Sequence, residues 1–365
     1  MKITIIAGAR PNFMKIAPII EAIEQKKKDG KNISYRLVHT GQHYDKNLSG
    51  TFFEELGIPL PDKNFDVKSG SQAEQTAAIM IAFEKDLMEN PTDLVLVVGD
   101  VTSTMACAIV AKKEGVKLAH VEAGIRSGDL RMPEEINRIV TDSLTDYFFT
   151  TTIIANENLF NLGVKKEQVF FVGNVMIDTL KKHQRNFKKP KIWDGIGLEN
   201  KKFFVLTMHR PSNVDEKNDL KIIIEKISEF SRGLPIVFPV HPRTKKLLQE
   251  LDLNSENLHF VEPLGYLEFN YLVKNAFTVI TDSGGITEET TVMNVPCITL
   301  RENTERPETC VLGTNVLVGK DIDKLKFYIE ELFKGSWKTS KEIDLWDGKA
   351  AVRIIDEILQ IYKVE

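Results

Sequence analysis

The sequence predicts an α/β fold made of two Rossmann-like, doubly wound parallel-sheet domains, and three observations carry that reading. Short runs rich in Val, Ile and Phe alternate with longer amphipathic stretches, the rhythm of strands and helices in a layered fold. Most of these runs are apolar at successive positions rather than alternate ones, as expected of parallel strands covered on both faces. A chain of 365 residues exceeds one ordinary core, so two domains of about 150–200 residues each are expected.

In chain order, the first half offers strands at "KITIIAG", "YRLVHT", "DLVLVVG", "VKLAHVE", "DYFFTT" and "QVFFVGN". The second half offers "KFFVLTM", "PIVFPV", "LHFVEP", "FTVITD", "PCITL" and "TNVLVG". Between the halves, residues 177–202 bring positive charge, Pro190 and two Gly, and read as a connection. After it the strand rhythm restarts. The tail "AAVRIIDEILQIYKV" places Val352, Ile355, Ile358 and Ile361 at every third position, which predicts a closing helix. The expected organisation is therefore residues 1–177, residues 178–348 and a C-terminal helix in 349–365 that crosses back onto the first domain.

Composition narrows the function classes. A formal charge of -4 provides no broad cationic field for nucleic acid or an anionic membrane. The N-terminal apolar run is broken by Gly8 and Arg10 and is too short for a signal-peptide core, and no segment reaches the roughly 20 apolar residues a membrane helix needs. Cys107, Cys297 and Cys310 are odd in number and widely spaced, which argues against a disulfide framework or zinc cluster. A cytoplasmic location is expected.

Ligands of open α/β sheets bind beyond the C-terminal strand ends, so the residues that follow each strand are the candidates. After the first strand "GARPNFMK" offers Gly8 for a tight turn, Pro11 for a helix start, and the cations Arg10 and Lys15. Asp100 follows the third strand and Glu122 the fourth. Residues 119–138, "AHVEAGIRSGDLRMPEEINR", hold three Glu, one Asp and three Arg, an unusual density of opposed charge. A helix should start at Pro133 with Ile136, Ile139, Val140 and Leu144 on its buried face. Glu134 would lie in its first turn with Arg138 four residues on, which alone reads as an exposed ion pair.

In the second half, His209 and His241 each follow a strand, with Arg243 close behind. "VITDSGGITEE" leads from a strand through Ser283, Gly284 and Gly285 into a helix, an opening whose backbone N–H groups can face a phosphate. Glu289, one turn on, suits ribose hydroxyls, and "RENTERPET" adds Arg301 and Arg306. A diphosphate joined to a ribose would suit this half. The first domain lacks G-x-G-x-x-G, and the chain lacks G-x-x-x-x-G-K-[ST], H-E-x-x-H and G-x-S-x-G. Nicotinamide chemistry, nucleotide triphosphatases, zinc hydrolases and common serine esterases lose ground accordingly.

"GARPNFMK", "HTGQHYD", "VVGDVTST", "HVEAGIRSGDLRMPEEINR", "MHRPSN", "PVHPRT", "TDSGGITEE" and "TERPE" together resemble the non-hydrolysing UDP-N-acetylglucosamine 2-epimerases, in the same order from about residue 1 to residue 320. The resemblance implies a GT-B type fold, with the two domains facing a central cleft. It implies interconversion of UDP-GlcNAc and UDP-ManNAc by elimination of UDP and readdition through 2-acetamidoglucal, without cofactor or metal, in a homodimer. By resemblance Asp100, Glu122, Glu134 and His209 are the catalytic set; which carboxylate serves which face stays open. Arg10, Lys15, Arg138, His241 and Arg306 resemble the cations and polar groups around the substrate, while Ser283, Gly284, Gly285 and Glu289 resemble the UDP cradle. Phe269 matches a position near the uracil and reads equally well as a core aromatic.

Two departures stand out. Pro211 and Ser212 follow His209-Arg210 where bacterial members continue with a second Arg and Glu, which leaves room for a modified sugar such as a UDP-2,3-diacetamido-glucuronic acid. Tyr44 and Asp45 replace polar groups that hold a second UDP-GlcNAc in regulated members, which argues against activation by substrate. A GT-B glycosyltransferase and a UDP-sugar sensor without chemistry are the rival classes.

Overall fold

The computed structural model describes residues 1–41, 55–68, 70–210, 216–240, 248, 251, 253 and 255–364, and for Arg10 the backbone alone. Two compact units emerge: Met1–Lys182 with Asp344–Glu365, and His183–Ile343.

The first unit is built on β1 (Lys2–Ala7), β2 (Ser34–His39), β3 (Lys63–Asn64), β4 (Leu94–Val98), β5 (Lys117–Val121), β6 (Tyr147–Thr150) and β7 (Val169–Phe171). They form one sheet in the order β3-β2-β1-β4-β5-β6-β7, and every pairing is parallel. All five residues of β4 are buried, as the unbroken apolar run predicts. The two-residue β3 has no apolar run to announce it.

Its helices are α1 (Arg10–Lys28), α2 (Gln72–Glu89), α3 (Thr102–Lys113), α4 (Pro133–Leu144), α5 (Ile153–Asn161) and α6 (Val175–His183). Ile6, Val95 and Val97 form one core with Ile79 and Phe83 of α2 and Ala106 and Val110 of α3. The stretch from residue 177 read as a connection instead continues α6, because Ile177 and Leu180 are fully buried.

The second unit repeats the plan with β8 (Phe204–Thr207), β9 (Ile236–Pro239), β10 (Leu258–Val261), β11 (Thr278–Thr281), β12 (Cys297–Thr299) and β13 (Asn315–Leu317). Its order is β10-β9-β8-β11-β12-β13, again all parallel. The helices are α7 (Ile192–Ile196), α8 (Lys217–Phe230), α9 (Tyr266–Asn275), α10 (Gly284–Val292), α11 (Pro307–Val311) and α12 (Ile322–Phe333).

The closing helix is α13 (Ala350–Ile361), which packs on α1 within the first unit. Its buried residues are Ala350, Ala351, Ile354, Ile355, Ile358 and Leu359, which from Ala351 on trace the i, i+3, i+4 stripe of a 3.6-residue helix. Val352, expected on that face, is instead exposed. Asp178 of α6 caps α13 by accepting the Ala350 and Ala351 N–H groups at 3.1 and 2.7 Å. Burial raises the Asp178 carboxyl above its usual range, although these two N–H donors oppose the shift.

Candidate active site

Each sheet has one place where strand order reverses, between β1 and β4 in the first and between β8 and β11 in the second. Chain segments leave such a point in opposite directions and open a crevice beyond the strand ends. The predicted residues after these four strands sit there.

In the first unit, Asn12 of α1 organises the turn after β1. Its Oδ1 accepts the Gly8 and Ala9 N–H groups at 3.0 Å each, and its Nδ2 donates to the Val98 carbonyl at 3.1 Å. Gly8 is needed for close approach rather than for a left-handed turn, since a Cβ there would lie 2.1 Å from Ser103 Oγ. One turn on, Lys15 Nζ reaches Glu122 Oε2 at 2.6 Å over Gly99. Glu122 has φ +71°, a left-handed conformation that costs a non-glycine residue about 1–3 kcal/mol and persists only where the surroundings over-determine it.

Asp100 forms an ion pair with Arg138 of α4, and its carbonyl accepts Asn137 Nδ2 at 2.8 Å. Arg138 is 2% exposed and also pairs with Glu135 at 2.8 Å. Arg138 thus meets Asp100 and Glu135 in a buried network, and Glu134, its expected partner on this helix face, is not one of the two. Glu135 accepts N–H groups from Ser127 and Gly128 at 3.0 Å each. Burial alone would raise its carboxyl, but these donors and the Arg138 guanidinium hold it below the usual range.

Relative to its apolar pattern α4 turns its isoleucines out, while Val140 is half-buried and Leu144 packs against the core of the first unit. Its buried residues are Glu135, Asn137, Arg138, Thr141 and Asp142, while Ile136 and Ile139 are exposed. The cause is local: the polar face feeds Asp100, the 127–128 turn and His120. Glu134 is half-buried in the first turn.

Beneath the strand ends, His120 of β5 is wholly buried between Asp142 Oδ1 at 2.7 Å and the Gly99 carbonyl at 2.8 Å. Asp142 Oδ2 meets Arg126 Nη1 at 2.6 Å and accepts the Gly124 N–H at 3.1 Å. Burial pushes the Asp142 carboxyl up, and His120 with Arg126 more than reverses that, leaving it below its usual range.

In the second unit, His209 follows β8 and is 57% exposed, with Nδ1 at 2.9 Å from Asp282 Oδ1. Asp282 is fully buried and also accepts the His209 and Arg210 backbone N–H groups at 3.0 and 2.9 Å. Burial opposes its ionisation, but His209 and the backbone donors win and hold it low. A carboxylate on Nδ1 orients the ring and leaves Nε2 for acid–base work.

Ser283 is the N-cap of α10, and its hydroxyl makes no cap hydrogen bond, so it does not occupy the helix start. Gly284 leaves room for the Glu305 carboxylate: a Cβ would lie 2.4 Å from Glu305 Oε1 and would push it aside. Glu305 pairs with Arg301 at 2.6 Å, and the buried Arg306 pairs with Glu288 at 3.0 Å. Gly285 and Glu289 follow within α10. Burial pushes the Glu289 carboxyl up to about 7 against hydrogen bonds from Tyr266 and Asn270. Phe269 of α9 is half-buried against the cluster of Leu272, Val273 and Val279.

The first unit thus gathers Lys15, Asp100, Glu122 and Arg138, and the second gathers His209, Ser283, Gly284, Gly285, Glu289 and Arg306. His241, Arg243, Gln42, His43, Tyr44, Asp45, Pro211 and Ser212 lie outside the described residues, as does the Arg10 side chain. Sequence reasoning missed Asn12, His120, Glu135, Asp142 and Asp282. All but Asp282 lie within or immediately beside the first unit's charged motifs, yet only burial separates them from ordinary polar residues.

A family model for UDP-N-acetylglucosamine 2-epimerase matches residues 25–359. The UDP-N-acetylglucosamine 2-epimerase of Methanocaldococcus jannaschii is 42% identical over 368 residues, covering 97% of this chain and 98% of its own. The UDP-2,3-diacetamido-2,3-dideoxy-D-glucuronate 2-epimerase of Pseudomonas aeruginosa is 40% identical over 329 residues, covering 89% and 90%. A crystal structure of the M. jannaschii UDP-GlcNAc 2-epimerase, in complex with UDP-GlcNAc and UDP, matches with a TM-score of 0.88 at 41% identity, covering 99% of this chain and 100% of that one. Two parallel-sheet domains of GT-B type, the charged strand ends and these matches along nearly the whole length lead to one conclusion: the chain belongs to the UDP-N-acetylglucosamine 2-epimerase family.

Proposed function

We propose that the protein interconverts UDP-N-acetylglucosamine and UDP-N-acetylmannosamine by anti elimination of UDP and readdition through 2-acetamidoglucal. The observation that carries the reading is the set of carboxylates at the first unit's strand ends, with Glu122 in a strained conformation against Lys15. A glycosyltransferase needs one base, and a sensor needs none.

The hydrogen at carbon 2 is not next to a carbonyl, so the bond from carbon 1 to the diphosphate oxygen must loosen first. Its electron pair leaves with UDP, a carboxylate takes the carbon 2 proton, and a double bond forms between carbons 1 and 2. Return of a proton to the opposite face and of UDP to carbon 1 completes the inversion. No hydride moves. We assign these proton transfers to Asp100, Glu122 and Glu134, which also stabilise positive charge at carbon 1. His209, oriented by Asp282, serves the departing UDP.

The second unit, His183–Ile343, is the UDP-binding part in this reading. The start of α10, with Ser283, Gly284 and Gly285, takes the diphosphate together with Arg306. Glu289 takes the ribose hydroxyls, and Phe269 lies by the uracil. Arg10, Lys15, Arg138 and His241 complete the polar surroundings.

A second reading, a 2-acetamido UDP-sugar with further substitution, is supported by the P. aeruginosa relative, almost as similar as the M. jannaschii one. We also infer a homodimer. The outward apolar residues Ile136 and Ile139 of α4 support it, since side chains of this size are worth about 1.5–3 kcal/mol each when fully buried. The three free cysteines fit a reducing cytoplasm, and no described helix is long and apolar enough to cross a membrane.

The test is incubation with UDP-GlcNAc in deuterated water while NMR follows carbon 2. Deuterium at carbon 2 together with UDP-ManNAc is expected. Turnover only with an added acceptor would indicate a transferase, and tight binding of unchanged substrate a sensor. Turnover of the diacetamido-glucuronate sugar alone would move the assignment to the second reading.

A further inference from the structure

His120 lies two residues before Glu122 on β5, with its ring fully buried. Nδ1 stands 2.7 Å from Asp142 Oδ1 and Nε2 stands 2.8 Å from the Gly99 carbonyl. The Gly99 carbonyl only accepts, and Asp142, whose other oxygen meets Arg126 and accepts the Gly124 N–H, is placed as an acceptor too, so each ring nitrogen faces an acceptor. Both nitrogens must donate. The ring then carries both protons and a positive charge, which Asp142 balances while it also meets Arg126 at 2.6 Å.

What this ring joins gives the geometry its meaning. Gly99, immediately before Asp100, is left-handed at φ +67°. Glu122 is left-handed at φ +71° and Gly124 at φ +77°. The path from the Gly99 carbonyl through His120 and Asp142 to the Gly124 N–H, 3.1 Å from Asp142 Oδ2, ties the first of these turns to the last. Glu122 sits inside that span, its backbone N–H held by the Phe149 carbonyl at 3.0 Å. Side-chain hydrogen bonds from one buried ring thus hold the backbone that aims both Asp100 and Glu122.

We propose that His120 is a positioning residue: a doubly protonated clamp, anchored by Asp142 and Arg126, that fixes the ends of β4 and β5 so that the Asp100 and Glu122 carboxylates meet the sugar in register. It touches no substrate. The inference rests on the reading of those two carboxylates as the acting groups.

Two substitutions divide the clamp. His120→Asn retains a donor toward Asp142 and loses the one to the Gly99 carbonyl, whereas His120→Gln retains the longer reach. A displacement of about 1 Å at the carboxylates costs on the order of 100-fold in rate. The expected result is a fall of about that size in kcat and in deuterium exchange at carbon 2, with KM and the Kd for UDP within about 2-fold of the unsubstituted protein, and partial recovery in His120→Gln. Activity that survives in both variants, even with a lowered Tm, would make the residue structural and overturn the proposal.

Should either variant fold poorly, the unsubstituted protein still decides. With 15N-labelled histidine, NMR should show protons on both ring nitrogens of His120, and a ring with one bare nitrogen overturns the clamp. Absence of epimerisation in the unsubstituted protein would instead sink the functional reading, leaving the NMR result to stand alone.

Discussion

The two units present charge in mirror-image order. In the first, the carboxylate of Asp100 is 31% exposed and the Arg138 behind it is 2% exposed. In the second, His209 is 57% exposed and the Asp282 behind it is buried completely. One unit therefore offers an acid group backed by a cation, the other an imidazole backed by an anion. The same doubly wound sheet reaches both arrangements because strand ends at a switch point can be furnished with either sign. In the proposed reaction the difference becomes a division of labour, with proton transfer at the carbohydrate in the first unit and handling of an anion in the second.

The largest expected effect comes from Asp100→Asn. Loss of a positioned acid–base group costs about 100- to 10,000-fold, so kcat should fall within that range while UDP affinity measured by calorimetry stays near its original value. An equal loss in both would break the comparison. His209→Asn sharpens it from the other side. It keeps a polar contact to Asp282 but removes the exposed Nε2, and kcat should fall about 100-fold; a kcat within 3-fold would confine the second unit to binding.

Arg306→Gln should weaken UDP binding about 10-fold or more, from loss of a charged hydrogen bond worth about 1.5–3 kcal/mol. Its Tm should drop as well, because Glu288 is then buried without its cation. Glu288→Gln in the same chain should restore the Tm but not the affinity.

The smallest effect concerns pH. Glu289 titrates near 7 in the folded chain against an ordinary value of 4.5. The folded state therefore holds this proton more tightly. Its contribution to stability is fully present below about 4.5 and is lost as pH rises through about 7. Thermal unfolding across that window should show a steeper decline for the unsubstituted protein than for Glu289→Gln. Parallel curves would mean that the carboxyl ionises as freely as an exposed one.

The strand runs were legible because parallel strands buried on both faces must be apolar throughout, and β4 shows this at every position. Residues at strand ends were legible for the same topological reason. The orientation of α4 was not. Its isoleucines satisfy the helical period, yet they point outward because Arg138, Glu135 and Asp142 have partners beneath the sheet end that a period cannot express. His120 was hidden likewise, since a lone polar residue in an apolar strand declares its importance only when both ring nitrogens are seen to face oxygen. Glu122 was found by its place after β5, but its left-handed backbone, and hence its need for support, belongs to three dimensions.

Glu122→Gln tests the division of labour most directly, with deuterium incorporation at carbon 2 and UDP titration measured on the same preparation. The account predicts that incorporation disappears while UDP affinity stays within about 2-fold, since proton transfer by such a group supplies at least about 100-fold of rate and none of the nucleotide's binding. Continued incorporation, or loss of UDP binding in step with it, would contradict the account.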